Sequence, residues 1–252
     1  MRFILALLAC LVGSLPTAAA MPPAPRDPVV TTIHELSPNS TIESLTNGPM
    51  PGVVTAIVDG QPLYVTQDGR FVLQGHLYDM RRGVDVSERH RAAERAKVLA
   101  QLAPNDLIVF APPHPRYRVI AFVDPTCGYC QELVSNLGGY LDQGIEVDLA
   151  AWPRAGTRPG APGYQQAVDV WCAPHRASAL KDAFAAKPLP TRQCVNPVAE
   201  QARLAVKLGL TGTPGLLAPD GTLLGGYVAP LRLRQILDER AALANPGAGA
   251  PR

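Results

Sequence analysis

The most informative run of the sequence is Phe122-Val123-Asp124-Pro125-Thr126-Cys127-Gly128-Tyr129-Cys130. The apolar run over 119–123 predicts a buried strand, Asp124-Pro125-Thr126 predicts a turn, and Cys127 then opens a helix. A helix N-terminus carries free N–H groups and the positive end of the macrodipole, both of which stabilise a thiolate over a thiol. We therefore expect the pKa of Cys127 to lie below that of a free cysteine, which makes Cys127 the candidate attacking thiolate.

Cys130 lies one turn further along the same predicted helix, so its sulfur is within bonding range of the Cys127 sulfur. From this position Cys130 can attack a mixed disulfide and release the bound substrate. The intervening Gly128 and Tyr129 add no positive charge, whereas a histidine there would strongly favour the reduced form. The sequence thus predicts a redox-active pair whose potential lies between those of a strong reductant and a strong oxidant.

Downstream of the cysteine pair, Thr213-Pro214 precedes a hairpin that has Asp220-Gly221 as its turn. In a thioredoxin-like fold, a cis-proline loop in this place faces the cysteine pair, and its backbone can pair with an extended substrate strand. We expect Thr213 and Pro214 to form that substrate-binding loop. The order of elements predicts an α/β thioredoxin-like domain with a helical insertion. The other predicted elements are a continuation of the Cys127 helix to Gly144, a strand over 145–149, a largely helical stretch over 164–208 whose last helix has Asn196 as its N-cap and Pro197 at its first position, strands over 215–218 and 222–224, and a closing helix over 231–243.

The helical insertion carries Cys172 and Cys194, neither of which has a CxxC context. They close a loop of about twenty residues, worth about 3 kcal/mol in the loop-entropy model, so we predict a structural disulfide between them. A zinc site is the alternative, because Cys172-Ala173-Pro174-His175 has metal-like spacing and a lone CxxC can be half of such a site. The redox interpretation, which we favour, requires neither a metal nor a cofactor.

Residues 1–20 are typical of a secretory signal peptide, with a positive Arg2, an apolar run over 3–12 and a cleavage site at Ala18-Ala19-Ala20. Cleavage after Ala20 would remove Cys10 and leave four of the five cysteines. An even number of cysteines indicates disulfides in an exported protein. Processing as a lipoprotein stays an alternative, because Leu7-Leu8-Ala9-Cys10 loosely resembles a lipoprotein cleavage box.

Ahead of the redox domain, β-favouring runs over 53–58, 63–66 and 70–74 are separated by Asp-Gly turns, which predicts an antiparallel meander of three strands. Alone, such a unit exposes an edge and half a core, so we expect it to pair with a second copy. A polar helix over 88–102, with Ser87 as its N-cap, is predicted to bridge two domains. We divide the chain into a signal peptide (1–20), an N-terminal dimerisation domain (21–84), a linker helix (85–105), a thioredoxin-like catalytic domain (106–245) and a disordered tail (246–252).

Taken together, these residues resemble the DsbC/DsbG-type periplasmic disulfide isomerases. The run over 122–130 is similar to the active site of that family, and Gly212-Thr213-Pro214 is similar to its cis-proline loop. Val170-Trp171-Cys172-Ala173 resembles the start of its structural disulfide, and Cys194 matches the partner cysteine. The resemblance extends to the N-terminal region, where residues 63–65 and 73–79 are similar to the family's dimerisation domain.

The resemblance implies a V-shaped, periplasmic homodimer joined through a small α+β, cystatin-like N-terminal domain. The cleft between its arms would hold misfolded exported proteins with non-native disulfides, as a chaperone does, and a membrane thiol-reductase would keep the CxxC pair reduced. Cys127 would be the attacking thiolate and Cys130 the resolving thiol of a disulfide isomerase. One departure is the Pro-rich stretch over 21–50, which does not clearly match the helix that opens the family's N-terminal domain.

Two other functions stay open on the sequence. One is a monomeric thioredoxin-like reductase or oxidase with a narrow client set, which a monomeric mass of the mature protein would favour. The other is a non-enzymatic holdase or zinc-binding module, which would keep its function in vivo without Cys127. A nucleic-acid partner is not expected, because the net charge is +2 and the chain has no block of like charges.

Overall fold

The computed structural model describes residues 27–244, so the predicted signal peptide (1–20) and tail (246–252) lie outside the described residues. A four-stranded antiparallel sheet with a helix comes first, and a five-stranded mixed sheet with helices on both faces follows. This architecture confirms the predicted thioredoxin-like α/β domain and the small α+β domain ahead of it. Between residues 27 and 244, no helix combines the length and the apolar character needed to cross a membrane.

The N-terminal unit opens with a helix that Asp27 caps. The Asp27 carboxylate accepts a hydrogen bond from the Val29 backbone N–H at 2.8 Å. Pro28 stands at the first helical position, where its missing N–H removes no hydrogen bond. Val29 and Ile33 are buried against one face of the sheet. The elements of this unit are α1 (Pro28–Leu36), β1 (Ile42–Asn47), β2 (Val53–Val58), β3 (Gln61–Thr66) and β4 (Val72–Gln74), and the strand order is β1-β2-β3-β4.

The predicted antiparallel meander is confirmed as β2, β3 and β4, but the sheet has a fourth strand that was not predicted, because β1 pairs with β2. The side chains of β1 are mostly polar and exposed, so the strand lacks the apolar alternation that marks a half-buried strand. The stretch over 21–50 was also expected to lack a clear match to an opening helix, yet α1 lies within it. With nine residues, α1 offers little periodicity to a sequence pattern.

The linker helix, α2 (Val86–Leu99), begins and ends earlier than the predicted range 88–102. The prediction that Ser87 is its N-cap is wrong. Asp85 caps the helix instead, and its carboxylate accepts a hydrogen bond from the Glu88 backbone N–H at 2.9 Å. The reason is that Asp85 ends a short strand in extended conformation, the backbone geometry that an N-cap requires.

Ser87 connects α2 to the N-terminal sheet. Its side chain is fully buried, and its hydroxyl bonds the Tyr64 hydroxyl and accepts from the Leu77 backbone N–H, both at 2.9 Å. At the other end of α2, Val98 and Leu99 pack into the core of the second unit. The helix therefore contacts both units. Two short strands that pair with each other, β5 (Tyr78–Asp79) and β6 (Val84–Asp85), connect the first sheet to α2.

The second unit has a buried strand at its centre. Its elements are β7 (Ile108–Phe110), β8 (Tyr117–Val123), α3 (Gly128–Ser135), α4 (Leu137–Asp142), β9 (Ile145–Ala151), α5 (Tyr164–Trp171), α6 (Arg176–Phe184), α7 (Val198–Lys207), β10 (Gly215–Leu217), β11 (Leu223–Gly225) and α8 (Pro230–Ala244). The strand order is β11-β10-β8-β9-β7, with β8 and β9 parallel and the other neighbours antiparallel. Val119 and Ala121 of β8 pack on one face of the sheet and Ile120 and Phe122 on the other, so β8 reads as a continuous apolar run.

Three details of this unit differ from the predictions. The sequence does not predict β7, a three-residue edge strand that is too short to show alternation. The helix expected to run from Cys127 to Gly144 is broken at Asn136 into α3 and α4. The last helix of the insertion is capped by Pro197 rather than Asn196. The Asn196 side chain still accepts a hydrogen bond from the Val198 backbone N–H at 3.2 Å. The helix therefore begins one residue later than predicted.

The turn of the β10–β11 hairpin rests directly on the backbone of α2. A Cβ atom at Gly221 would lie 1.9 Å from the Ala92 carbonyl oxygen and 2.5 Å from the Ala96 nitrogen. The Arg95 Nε donates a hydrogen bond to the Gly221 carbonyl at 2.7 Å. Gly221 also has a φ of +81°, which favours glycine. The absence of a side chain at this position therefore lets the second unit dock on α2.

Gly221→Ala should lower the free energy of unfolding more than a matched glycine substitution in the same unit. Gly209 is that control, because its φ is +71° and an added Cβ would meet nothing within 4 Å. Gly209→Ala should cost about 1–2 kcal/mol for the left-handed backbone alone. Gly221→Ala should cost about 1–3 kcal/mol more, because the added methyl group must displace α2. Urea denaturation of both variants measures the difference, and equal losses would contradict the docking role.

Candidate active site

Cys127 stands at the N-cap of α3, directly after the turn that follows β8. Asp124 holds this turn: one carboxylate oxygen accepts hydrogen bonds from the Thr126 N–H (2.8 Å) and hydroxyl (2.7 Å), and the other accepts from the Arg154 N–H (2.9 Å). Asp124 is itself buried. Its carboxylate thus ties the loop after β9 to the residues before Cys127 and fixes where the cysteine emerges.

The Thr213-Pro214 loop lies against the sulfur of Cys127. The Cys127 thiol donates a hydrogen bond to the Thr213 carbonyl at 3.1 Å, although the two residues are 86 positions apart in the chain. The peptide bond between Thr213 and Pro214 is cis. The pairing of β10 with β8, in which Gly215 lies opposite Phe122, brings the two segments together.

The two cysteines of the pair differ in burial and in acidity. Burial raises the pKa of Cys127, but hydrogen bonds from the Thr213 hydroxyl, the Cys130 N–H and thiol, and the Tyr129 N–H outweigh it, so the net pKa is lowered. Cys130 is completely buried, and burial raises its pKa to about 12. Cys127 is therefore the more acidic thiol, and the thiolate is the species that attacks a disulfide.

The Thr213 side chain contributes to this difference. Its hydroxyl is buried and, among the described residues, has no hydrogen-bond partner while Cys127 is a thiol. When Cys127 loses its proton, the hydroxyl can donate to the thiolate, which lowers the pKa of Cys127. A buried hydroxyl without a hydrogen-bond partner costs free energy, so the thiolate state is also favoured because it gives the Thr213 hydroxyl an acceptor.

Cys172 and Cys194 are bonded to each other, with an S–S distance of 2.00 Å and a Cα–Cα distance of 5.7 Å. The bond joins the end of α5 to the extended segment over 185–197, which interrupts the largely helical stretch expected over 164–208. Both cysteines are thus engaged, and His175 is exposed at the start of α6. Within the described part of the chain, no group of three or more His, Cys, Asp or Glu side chains could hold a metal ion.

Sequence reasoning missed Tyr227 and Asn136. The ring of Tyr129 stacks on the ring of Tyr227 with a centroid distance of 6.4 Å and an interplanar angle of 22°. The Asn136 side chain donates a hydrogen bond to the Tyr227 hydroxyl at 3.1 Å. Burial and the nearby Glu132 carboxylate raise the pKa of Tyr227. No sequence pattern indicates that positions 129 and 227 are in contact. Gly225-Gly226, just ahead of Tyr227, predicts a turn, but it does not predict which residue Tyr227 contacts.

Comparisons with known proteins match both units. Residues 17–88 match the family model of the disulfide bond isomerase protein N-terminal domain, and residues 103–241 match that of the thioredoxin-like domain. The thiol:disulfide interchange protein DsbC of Escherichia coli (strain K12) is 31% identical over 199 residues, which cover 78% of this chain and 81% of that protein. DsbC of Salmonella typhimurium is 34% identical over 194 residues, which cover 76% and 78%. A crystal structure of a disulfide interchange protein from Neisseria gonorrhoeae has 30% identity, covers 55% of this chain and 97% of its own, and gives a TM-score of 0.48.

Thr213→Val should raise the pKa of Cys127, because it removes the hydroxyl that donates to the thiolate while keeping the shape of the side chain. The Cys127 thiolate would then form at higher pH, so the midpoint of its alkylation rate should move upward. Iodoacetamide labelling of Cys127 as a function of pH, followed by mass spectrometry, measures this midpoint. Thr211→Val, in the same loop, is the control and should keep the wild-type midpoint. Equal midpoints for both variants would show that the hydroxyl does not act on the sulfur.

Proposed function

This chain belongs to the DsbC family of thiol:disulfide interchange proteins, and we propose that it isomerises non-native disulfide bonds in exported proteins through Cys127 and Cys130. The observation that carries the proposal is the opposite shift in the pKa of the two thiols on one helical turn. A lowered pKa supplies a nucleophile at Cys127. A raised pKa keeps Cys130 protonated until it is needed.

In the proposed reaction, the Cys127 thiolate attacks one sulfur of a client disulfide. A bond forms between Cys127 and the client, and the second client sulfur leaves as a thiolate. A different client thiolate then attacks the client sulfur of this mixed disulfide. A new client disulfide forms, the bond to Cys127 breaks, and Cys127 leaves as a thiolate with no net change in electrons. The Thr213 loop beside the sulfur would hold the client backbone during this exchange.

Cys130 provides a second way out of the mixed disulfide. After losing its proton, it attacks the Cys127 sulfur, and the client leaves as a free thiol while Cys127 and Cys130 become oxidised. Because burial raises the pKa of the Cys130 thiol, we expect this resolution to be slower than attack by an exposed client thiol. The delay favours isomerisation over reduction of the client. A membrane thiol-reductase, by analogy with the family, would return the oxidised pair to the dithiol.

We also propose that the protein acts in the periplasm as a homodimer and that its chain is divided as the sequence predicts, with the N-terminal unit as the dimerisation domain. The support comes from β4, an edge strand of the first sheet. Phe71, Leu73 and Tyr78, on and beside this strand, are 58%, 48% and 58% exposed. An exposed apolar edge strand is a surface on which a second copy can pair.

Cys127→Ser should abolish isomerisation of a scrambled multi-disulfide protein, because a serine hydroxyl does not form the attacking anion at neutral pH. Cys130→Ser should retain the attack but accumulate mixed disulfides with clients, because the resolving thiol is gone. Recovery of native activity by scrambled ribonuclease measures the first effect. Non-reducing electrophoresis with mass spectrometry measures the second.

The matched control replaces Cys172 and Cys194 with serine, which removes a disulfide from the same domain. This double variant should unfold at lower temperature, since a closed loop of this length is worth about 3 kcal/mol, but its Cys127 should react at the wild-type rate. Isomerisation by Cys127→Ser at the wild-type rate would contradict the proposal and favour a non-enzymatic holdase.

Leu73→Arg should convert the proposed dimer into monomers, because it places a charge on the edge strand at the pairing surface. Sedimentation velocity of the mature protein measures the mass. Val206→Arg is the control, since Val206 is 67% exposed on α7 and should leave the dimer intact. Wild-type protein sedimenting as a monomer would contradict the dimer and favour a reductase with a narrow client set.

A further inference from the structure

A groove of about 480 Å³ opens beside the active-site loop. Tyr129 of α3 and Tyr227, which follows β11, form an aromatic wall together with Leu223 of β11, and the loop around Pro214 forms the floor. None of the described residues that line it carries a charged side chain. Thr213, whose carbonyl accepts a hydrogen bond from the Cys127 thiol, is one of the lining residues, so the groove lies beside the reacting residue.

The aromatic wall is held in place rather than free to turn. Tyr227 stacks on Tyr129 and is anchored through its hydroxyl by the Asn136 side chain. Tyr129 is nevertheless 64% exposed, so its ring contributes little to the core of the protein. A fixed, exposed aromatic surface next to a nucleophile is the kind of surface that contacts an apolar ligand.

The floor of the groove leaves the backbone accessible. A Cβ atom at Gly212 or Gly225 would meet no protein atom within 4 Å. A client chain can therefore approach the backbone of the loop and of β11 closely enough for main-chain hydrogen bonds, while its side chains meet the aromatic wall. Together with burial, the Glu132 carboxylate of α3 raises the pKa of the Tyr227 hydroxyl, so it brings negative charge to the aromatic wall.

We propose that Tyr227, together with Tyr129, selects clients that carry an aromatic or large aliphatic residue next to the target cysteine and discriminates against an acidic residue there. This inference rests on the proposed function and names the class of segment that the site accepts. An apolar side chain gains by leaving water for the uncharged groove, whereas a carboxylate would lose its hydration close to Glu132. Apolar residues beside a cysteine are buried in a correctly folded protein, so the preference would direct the enzyme to misfolded clients.

The test uses two short peptides that differ in one residue, Phe or Asp, directly after a single cysteine that is capped as a mixed disulfide with thionitrobenzoate. The Cys127 thiolate of the Cys130→Ser protein attacks the peptide sulfur, forms the protein–peptide disulfide and releases coloured thionitrobenzoate. Mass spectrometry verifies the product. The ratio of the two rates on one protein cancels any change in the reactivity of the thiolate itself.

The Phe peptide should react faster than the Asp peptide, and Tyr227→Ala should reduce that ratio by about three- to tenfold, the worth of an aromatic contact. Tyr129→Ala should reduce it too, and because this ring is mostly exposed the variant does not depend on refolding of the core. Tyr227→Phe keeps the ring and should keep the ratio. Val206→Ala, an exposed apolar residue of the same domain outside the groove, is the control for unspecific effects.

Two results would overturn the proposed selectivity while leaving disulfide exchange intact. One is an unchanged Phe-to-Asp rate ratio in both Tyr227→Ala and Tyr129→Ala, and the other is equal rates for the two peptides on the Cys130→Ser protein that keeps both tyrosines. A Cys127 that reacts with neither peptide would instead overturn the proposed function, and the selectivity with it. The two failures are therefore distinguishable in one experiment.

Discussion

The pairing of β10 with β8 is the constraint on which the rest of the site depends. It sets Gly215 opposite Phe122 and thereby carries the Thr213 carbonyl to within 3.1 Å of the Cys127 sulfur. Without that pairing, the CxxC would be an exposed first turn of a helix, with only its N-terminal N–H groups to stabilise a thiolate. With it, the Thr213 carbonyl covers the sulfur, and the loop that carries this carbonyl also lines the groove. In the proposed mechanism, reactivity and client selectivity would thus share one structural origin.

Burial then separates two cysteines that the helix alone would treat alike. Both lie within one turn of the helix N-terminus, and the macrodipole favours a thiolate at either position. Cys130 points into the core and is fully buried, which raises its pKa, whereas Cys127 is bordered by donors that lower its own. In the proposed mechanism, this difference sets the order of events: a client is attacked readily and released by Cys130 slowly. An isomerase benefits from that order, because a captured client has time to exchange its own thiols.

The linker helix α2 connects the second unit to the N-terminal unit through contacts near its start and along its middle. Ser87 is buried against Tyr64 of the first sheet, and further along α2 the Gly221 turn of the catalytic unit rests on the helix backbone. Neither contact tolerates much change, since one is a buried hydrogen bond and the other excludes a methyl group. The catalytic unit is therefore held at a defined position on α2. In a dimer built on β4, such a helix would set the direction in which each active site faces.

Local sequence patterns were enough to predict the class of protein. A CxxC at the start of a helix, a Thr-Pro ahead of a hairpin and two further cysteines in an insertion predicted a thioredoxin-like thiol–disulfide oxidoreductase, and the fold and the family are confirmed. These signals are local, because a strand, a turn or a helix start is encoded within a few neighbouring residues. The roles of the individual site residues stay predictions. Elements with weak local patterns were not predicted, namely the polar edge strand β1, the short helix α1 and the three-residue strand β7. Three features of the site depend on tertiary packing instead: the Cys127–Thr213 contact, the burial that raises the pKa of Cys130, and the stacking of Tyr227 on Tyr129. Each of them brings together or encloses residues that are distant in the chain, so no local sequence pattern predicts it.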